Sequence, residues 1–346
     1  MSRLLVTGGA GFIGSAFVRR RLAATTDSIV VLDKLTYAGS RANLTEIDGD
    51  QELAPRLTFV RGDICDPDAV RLLVADVDAV LNFAAESHVD RSILDAEAFL
   101  HTGVIGVHVL LEAIRELGKG RHVRFLQVST DEVYGAVETG QSVESDPLAP
   151  RSPYAAAKAA GELLARSYGV THGCDVVVTR GSNTYGSHQH PEKLIPLFIT
   201  NAIDDQELPM YGDGRQQRDW LHVDDHADAI SFVLDHGHGG ETYNVCGLGL
   251  RMNRDVTRAI LDQLGKPWSL VRSVPDRPGH DIRYAMNGSK LAALGWCPTV
   301  DFDEGLAATV DWYRANTEWW RRAKSGNWPA YYERQYAQRL TESIEA

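Results

Sequence analysis

Tyr154 and Lys158 stand four positions apart, so a helix running through them presents a phenol and an ammonium on one face. Ser152 is placed to cap that helix and Pro153 to begin it. The chemistry of such a pair is proton transfer. A tyrosine normally loses its proton near pH ~10, but an adjacent ammonium and the positive end of a helix both favour the phenolate, which predicts a usable base near neutrality. Upstream, Asp131 and Glu132 are neighbours in the segment Ser129-Thr130-Asp131-Glu132-Val133-Tyr134-Gly135. Inverting a carbinol needs only oxidation and re-reduction. Eliminating water across two carbons also needs an acid for the departing hydroxyl and a base for the neighbouring C–H. Asp131 and Glu132 supply one of each, although two acidic residues in a loop are equally suited to solvation.

A second constellation concerns a cofactor. Thr7-Gly8-Gly9-Ala10-Gly11-Phe12-Ile13-Gly14 joins an apolar run to a segment able to form a helix, the context a dinucleotide fingerprint requires. Gly8, Gly11 and Gly14 allow a tight turn and close backbone approach. The helix start at Phe12 and Ile13 then offers free N–H groups and a positive dipole end to a pyrophosphate. Asp33 ends the next apolar run, 19 residues after Gly14, where a carboxylate accepts from the adenosine ribose and repels a 2′-phosphate. NAD is therefore favoured over NADP, while Lys34 beside it argues weakly the other way. Asp63 and Ile64 follow the third apolar run and are placed to meet adenine; an acidic cap on a strand end explains Asp63 almost as well.

The elements that must position these groups are legible as a rhythm. Leu4–Val6, Ile29–Leu32, Leu57–Val60, Ala79–Phe83, Val123–Val128 and Val176–Val178 are short apolar runs separated by helix-length segments, which predicts an α/β, doubly wound parallel sheet of Rossmann type. Ala96, Phe99, Leu100, Val104, Val107, Leu110, Leu111 and Ile114 recur at helical spacing, and a second helix follows Pro153. After Asn183 the pattern turns irregular and proline-rich. Trp220–Val223 and Thr242–Val245 are expected to return to the sheet. This divides the chain into a dinucleotide-binding domain, residues 1–182 and 220–246, and a smaller interleaved C-terminal substrate lobe, residues 183–219 and 247–335. The polar stretch Gln338–Ala346 is expected to fray.

Composition narrows the partners. Lys and Arg number 35 against 47 Asp and Glu, a formal charge of -12, so the whole-molecule field repels nucleic acid and anionic membrane. A phosphate-bearing ligand must be met by a local cluster of donors. Cys65, Cys174, Cys246 and Cys297 are scattered, with no CxxC pair and no nearby histidine set, which indicates neither zinc nor a disulfide framework and fits the cytoplasm. The first apolar run begins too early to follow a signal peptide. Even Val104–Leu111 is broken by Gly106 and His108, short of the roughly 18 uninterrupted apolar residues of a spanning helix.

The motifs TGGAGFIGS, DKLTYAG, GDICD, NFAAESHVDRSI, STDEVYG, SPYAAAK, PEKLIP, RDWLHVDDH and RPGHD, in this order from residue 3 to about 325, resemble those of the dTDP-glucose 4,6-dehydratases, in the extended branch of the short-chain dehydrogenases/reductases. The resemblance implies that Tyr154 takes the C4 hydroxyl proton as hydride passes to NAD, with Lys158 beside it and Thr130 polarising the C4 oxygen. Glu132 then removes the C5 proton, Asp131 protonates the leaving C6 hydroxyl, and the hydride returns to C6. It further implies cofactor contacts at Ala84 and Ala85, and substrate contacts at Ser87, His88, Asn183, Glu192, Lys193, Leu194, Tyr211, Arg218, Asn253, Arg277 and His280. A homodimer is implied too, with the helices around Val104–Ile114 and Tyr154–Arg166 in its interface.

Some positions depart from that pattern. Gly103 stands where asparagine is expected, Val107 and Thr184 replace threonine and asparagine, and Ser187-His188-Gln189-His190 replaces a more aromatic run. Two other classes stay open: a dehydratase or 4-epimerase acting on UDP-glucose or another nucleotide hexose, and a catalytically silent NAD-binding scaffold. Asp131 and Glu132 argue against the epimerase. The joint presence of Tyr154 and Lys158 argues against the scaffold.

Overall fold

The structure, a computed structural model, describes residues 1–118, 120–326 and 328–341. Strands β1 (Arg3–Thr7), β2 (Ser28–Asp33), β3 (Leu57–Arg61), β4 (Ala79–Asn82), β5 (Arg124–Thr130) and β6 (Asp175–Gly181) alternate with helices. The chain then forms β7 (Asn183–Tyr185), β8 (Leu208–Tyr211) and β9 (Gln217–His222) before returning as β10 (Thr242–Val245). The order β10-β6-β5-β4-β1-β2-β3 makes one seven-stranded sheet in which every pairing is parallel. This is the doubly wound architecture expected.

Because successive side chains of a strand point to opposite faces, each strand feeds two cores. Leu4 and Val6 of β1 join Phe17, Leu81 and Val128 beneath the helices Phe12–Ala24 and Val223–His236. Leu5 of the same strand joins Leu32, Val80, Leu110 and Phe125 on the other face. A third core, around Tyr185, Phe198, Leu306, Tyr313 and Trp320, fills the lobe.

Thr242–Val245 returns to the sheet as expected, but Trp220–Val223 does not. Residues 217–222 pair instead with β7 and with β11 (Leu250–Met252) in a separate three-stranded sheet, and β12 (Val271–Val274) pairs with β8. Trp220 and Leu221 bury on the lobe side and the sheet side respectively, so an apolar run here marks a strand between two cores. The expected fraying also fails in part: Gln338–Thr341 forms a last helical turn, and residues 342–346 lie outside those described.

Ser152 Oγ accepts from Ala155 N at 3.1 Å, Pro153 opens the helix, and Gly173 closes it at φ 70°, so the predicted Tyr154–Lys158 helix runs from Pro153 to His172. Against it lies the continuous helix Glu97–Glu116, whose residues His101–Gly106 form a wider π-type turn. By length and mean hydropathy this helix is apolar enough to cross a membrane, although its pattern of glycine and histidine suggested otherwise. Phe99, Val107, Leu110, Leu111 and Ile114 are buried inside the molecule, while Leu100 and Ile105 stay exposed.

The two helices touch backbone to backbone. A methyl at Gly161 would come within 2.3 Å of the Gly103 carbonyl oxygen, and one at Gly103 within 3.2 Å of the Ala157 side chain. Glycine at 161 is thus what the close approach requires, whereas a side chain at 103 meets a tight but not forbidding contact. A residue one turn beyond Lys158 therefore fixes how deep the pair sits. Gly161→Ala should cost stability, about 1–3 kcal/mol from overpacking less the gain of up to ~1 kcal/mol in helix propensity. Urea denaturation would measure it, and an unchanged midpoint would contradict the contact.

Candidate active site

Strands β1, β4, β5 and β6 end side by side at the carboxyl edge of the sheet, and their loops line one pocket. It runs from Gly8, Gly11, Asp33 and Ile64 at one end to Thr130, Asp131, Glu132, Tyr154, Lys158, Asn183 and Lys193 at the other.

The dinucleotide end has the required shape. Gly8 has φ 68°, and any Cβ there would stand 2.6 Å from Ala84 N; Gly14 would drive one into the Gly8 carbonyl oxygen at 2.4 Å. Gly11 caps the helix Phe12–Ala24 without a side-chain bond, and no acidic residue occupies its first turn. The N–H groups and dipole there remain available to a pyrophosphate, so these residues fit a dinucleotide. Asp33 is buried and accepts from Ala10 N at 2.9 Å and Leu35 N at 2.8 Å; burial raises its pKa against those two bonds. Lys34 does not reach into the site as a free cation. It pairs with Asp63 at 2.6 Å, which removes the one feature favouring a 2′-phosphate.

At the other end Thr130 shapes the acidic turn. Its hydroxyl donates to Asp131 Oδ1 at 3.1 Å and accepts from Glu132 N at 3.3 Å, and Gly135 ends the turn at φ 75°. Tyr134 of this turn donates to Asn244 at 2.8 Å and also bonds Arg180, which forms a fully buried ion pair with Glu162 on the Tyr154 helix. Strand, turn and helix are thereby cross-tied.

Burial, then Glu132, pushes the Asp131 carboxyl up to about 8. Glu132 is also raised by burial, but Arg277, Lys193 and Arg218 oppose the shift. Burial therefore holds both carboxyls toward their protonated forms, and Glu132 is the one on which three cations oppose that shift. Lys158 is buried, donates to the Val128 carbonyl at 2.5 Å, and is lowered by burial to about 8.

The expected activation of Tyr154 is not met by these residues. Burial raises its pKa, and Glu132 and Asp131 raise it further. The ammonium that was to lower it points to a backbone carbonyl, and only a hydrogen bond with Thr130 opposes the burial and the two acidic neighbours.

The substrate candidates fall into three layers. Ser87, Asn183 and Lys193 line the pocket, with Lys193 donating to the Ser87 carbonyl. Beside Glu132 lies a cluster in which Arg218 meets His280 at 3.1 Å, while Arg277 and Tyr211 both bond Asp90, at 2.7 and 2.8 Å. Asn253 is buried, its backbone N–H bonded to the carbonyl of Gln216, whose side chain bonds Asp276 beside His280. His88 and Glu192 stand behind. His88 bridges the Glu192 carbonyl at 3.1 Å and Tyr331 at 3.2 Å, and the Glu192 carboxylate holds Arg91 at 2.8 Å. Leu194 opens the helix Leu194–Ile203 and packs into the lobe core.

Sequence reasoning missed Asp90 and its partner Gln335, which bonds both Asp90 and Tyr211. Gln189, His190 and His226 line the pocket too. Asp90 and His226 lie inside quoted motifs, so a signal existed; Gln335 carries none.

The GDP-mannose 4,6 dehydratase family model matches residues 5–309. A dTDP-glucose 4,6-dehydratase of Streptomyces niveus is 51% identical over 329 residues, 93% of this chain and 96% of that one. A crystal structure of a dTDP-glucose 4,6-dehydratase from Streptomyces venezuelae with NAD bound is 52% identical, with a TM-score of 0.89 over 93% of this chain and 100% of that one. A UDP-glucose 4-epimerase of Thermus thermophilus in complex with NAD is 32% identical, with a TM-score of 0.82 over 91% and 99%.

One consequence tests the acidic pair in the free protein. With its folded pKa above the unfolded value, Asp131 takes up a proton on folding between the ordinary carboxylate range and about 8, so the native state loses stability as pH rises through that window. Asp131→Asn cannot ionise. Its stability relative to the original chain should climb across the window and level off above it, read from urea midpoints at several pH values; a flat difference would contradict the burial.

Proposed function

Because this chain belongs to the dTDP-glucose 4,6-dehydratase family, we propose that it is an NAD-dependent hydro-lyase that converts dTDP-glucose to dTDP-4-keto-6-deoxyglucose. What carries this reading is the acidic pair itself: Asp131 and Glu132, set by Thr130 in the turn after β5, line one pocket with Tyr154 and Lys158, and Arg277, Lys193 and Arg218 act on Glu132. An epimerase has no use for such a pair.

Gly8, Gly11, Gly14 and Asp33 would hold the adenosine and pyrophosphate of NAD and the Tyr154–Lys158 end its redox ring. The cofactor would supply a hydride acceptor for C4, a donor for C6 and a positive charge that favours ionisation of Tyr154. Tyr154, seated on the helix Pro153–His172, accepts the C4 hydroxyl proton. Thr130 hydrogen-bonds the C4 oxygen. Once C4 is a ketone, the C5 proton is acidic and Glu132 removes it. Asp131 gives its proton to the C6 hydroxyl, which leaves as water. As the hydride reaches C6, Glu132 gives a proton back to C5, and the proton taken up by Tyr154 is returned through solvent to restore Asp131. The balance is one water lost with no net oxidation.

Arg218 and Arg277, forks matched to phosphate oxygens, are the expected diphosphate contacts, with Asn183, Lys193, Asn253 and His280 around them and Tyr211 toward the base. His88 and Glu192 act from behind, by holding Tyr331 and Arg91. The lobe, residues 183–219 and 247–335, carries most of these groups, and its separate sheets support its assignment as the substrate half. The free thiols at Cys65, Cys174, Cys246 and Cys297 support a cytoplasmic location.

The chain assembles as a homodimer. Leu100 and Ile105 on one helix and Leu163 on the other are large apolar side chains 46–50% exposed, and a second copy of the same helix pair would cover them. Leu163→Glu should shift sedimentation from dimer to monomer; a monomeric original chain at micromolar concentration would overturn the assembly.

Two measurements test the reaction. In D2O the original chain should place deuterium at C5 of the product, and Glu132→Gln should slow that step about a hundred- to ten-thousand-fold while leaving the bound cofactor in place. Dehydration at the original rate would remove Glu132 from the role of base. Turnover of dTDP-glucose and UDP-glucose, each followed by mass, decides the base; equal turnover would sink the thymidine preference.

A further inference from the structure

Among the pocket-lining residues, His226 of the helix Val223–His236 packs its ring against Gly181 at the end of β6. A Cβ on Gly181 would fall 2.4 Å from its ring, so glycine is what admits the imidazole there. The side chain is 2% exposed and lines the pocket with Val128, Thr130, Tyr154, Lys158 and Ser182. Burial lowers its pKa to about 4, leaving a neutral ring with one proton.

The location of that proton follows from Thr184. Its hydroxyl lies 3.1 Å from the Ser182 carbonyl oxygen and 2.8 Å from His226 Nδ1. A carbonyl only accepts, so both contacts are hydrogen bonds together only when the hydroxyl donates its single proton to Ser182. Its oxygen is then left to accept, and Nδ1 must be the ring nitrogen that carries the hydrogen. The tautomer leaves Nε2 a bare acceptor. That atom is buried and meets no protein donor among the described residues, which is costly unless a ligand supplies one.

The two ends of a bound dinucleotide are distinguishable here. The adenosine end lies by Gly8, Asp33 and Ile64, whereas the redox ring must lie by Tyr154 and Lys158, where His226 stands. On a nicotinamide, the carboxamide NH2 is the one hydrogen-bond donor. We propose that His226 is a nicotinamide-binding residue whose Nε2 accepts from the carboxamide N–H of bound NAD, and that Thr184 is the positioning residue that fixes the required tautomer. The inference rests on the dinucleotide reading of the pocket. It also gives a role to the threonine that replaces the asparagine expected at this position.

The ring is attached to its ribose by a single bond, so anchoring the carboxamide at one edge selects which face of the ring meets the sugar. Thr184 thereby acts on stereochemistry without touching substrate.

The test compares NAD with 3-acetylpyridine adenine dinucleotide, which has a methyl group where the amide has NH2. Competition between the two for the purified protein should favour NAD about three- to tenfold, the net contribution of one hydrogen bond. His226→Leu should bring that ratio close to one, Thr184→Val should reduce it, and Thr184→Ser should restore it. Because ratios are compared within each variant, a general loss of affinity does not mimic the effect. Nitrogen-15 spectra of the original chain, its histidines labelled, should show His226 protonated at Nδ1 and bare at Nε2. A protonated Nε2, a ratio of one in the original chain, or an unchanged ratio in His226→Leu would each overturn the proposal. Failure of the original chain to bind NAD at all would instead overturn the dinucleotide reading.

Discussion

Asp131 and Glu132 directly follow a strand that has neighbours on both sides, and keeping two adjacent carboxyl groups from water is the constraint around which the pocket is organised. Two negative charges in a low-dielectric site repel strongly, and each costs several kcal/mol to desolvate alone. The chain resolves this by letting one keep its proton. The other faces Arg277, Lys193 and Arg218, three cations gathered locally in a molecule of net charge -12. Those cations are themselves held: Arg277 by Asp90, Lys193 by the Ser87 carbonyl, and Arg218 by His280 and the Asp281 carbonyl. The same groups that oppose the charge of Glu132 are the ones expected to meet a diphosphate. Substrate binding and the protonation of the acidic pair are therefore coupled through shared arginines.

Most of the scaffold was legible because parallel strands buried on both faces leave an unmistakable trace of short apolar runs. The glycine loop, Asp33 and the Ser152-Pro153 helix start were legible for the same reason: each is a local rule with a local consequence. What escaped was non-local. Trp220–Leu221 is as apolar as a sheet strand, and only its partners Asn183 and Thr184 reveal that it belongs elsewhere. The direction of the Tyr154 shift depends on where Lys158 points and on two carboxylates more than twenty residues upstream, none of which spacing along one helix records. His88 and Glu192 have the right types for contact but are turned toward Tyr331 and Arg91. Gln335 reaches Asp90 across 245 residues, and a lone glutamine near a chain end announces nothing.

Small residues explain another part of the geometry. Gly103, Gly161 and Ala157 bring two helix backbones into contact, and the depth of Lys158 under β5 follows from that contact. Arg180 and Glu162 then fix the rotation of the same helix. The proton-transfer groups are thus aimed by packing and one buried ion pair, neither of which touches the reacting atoms.

The guanidinium of Arg91 lies between two rings, 3.9 Å from the centroid of Tyr37 and 3.9 Å from that of Tyr331, with Glu192 on its edge. Tyr37 belongs to the loop after β2 that walls the dinucleotide end of the pocket, and Tyr331 to the helices that close the chain. Each stacked contact is worth about 0.5–2 kcal/mol. Moving either the loop or those helices away from Arg91 gives up one of these two stacked contacts. Arg91 thereby joins the helix Trp328–Tyr332 to a loop of the pocket built by the first strands.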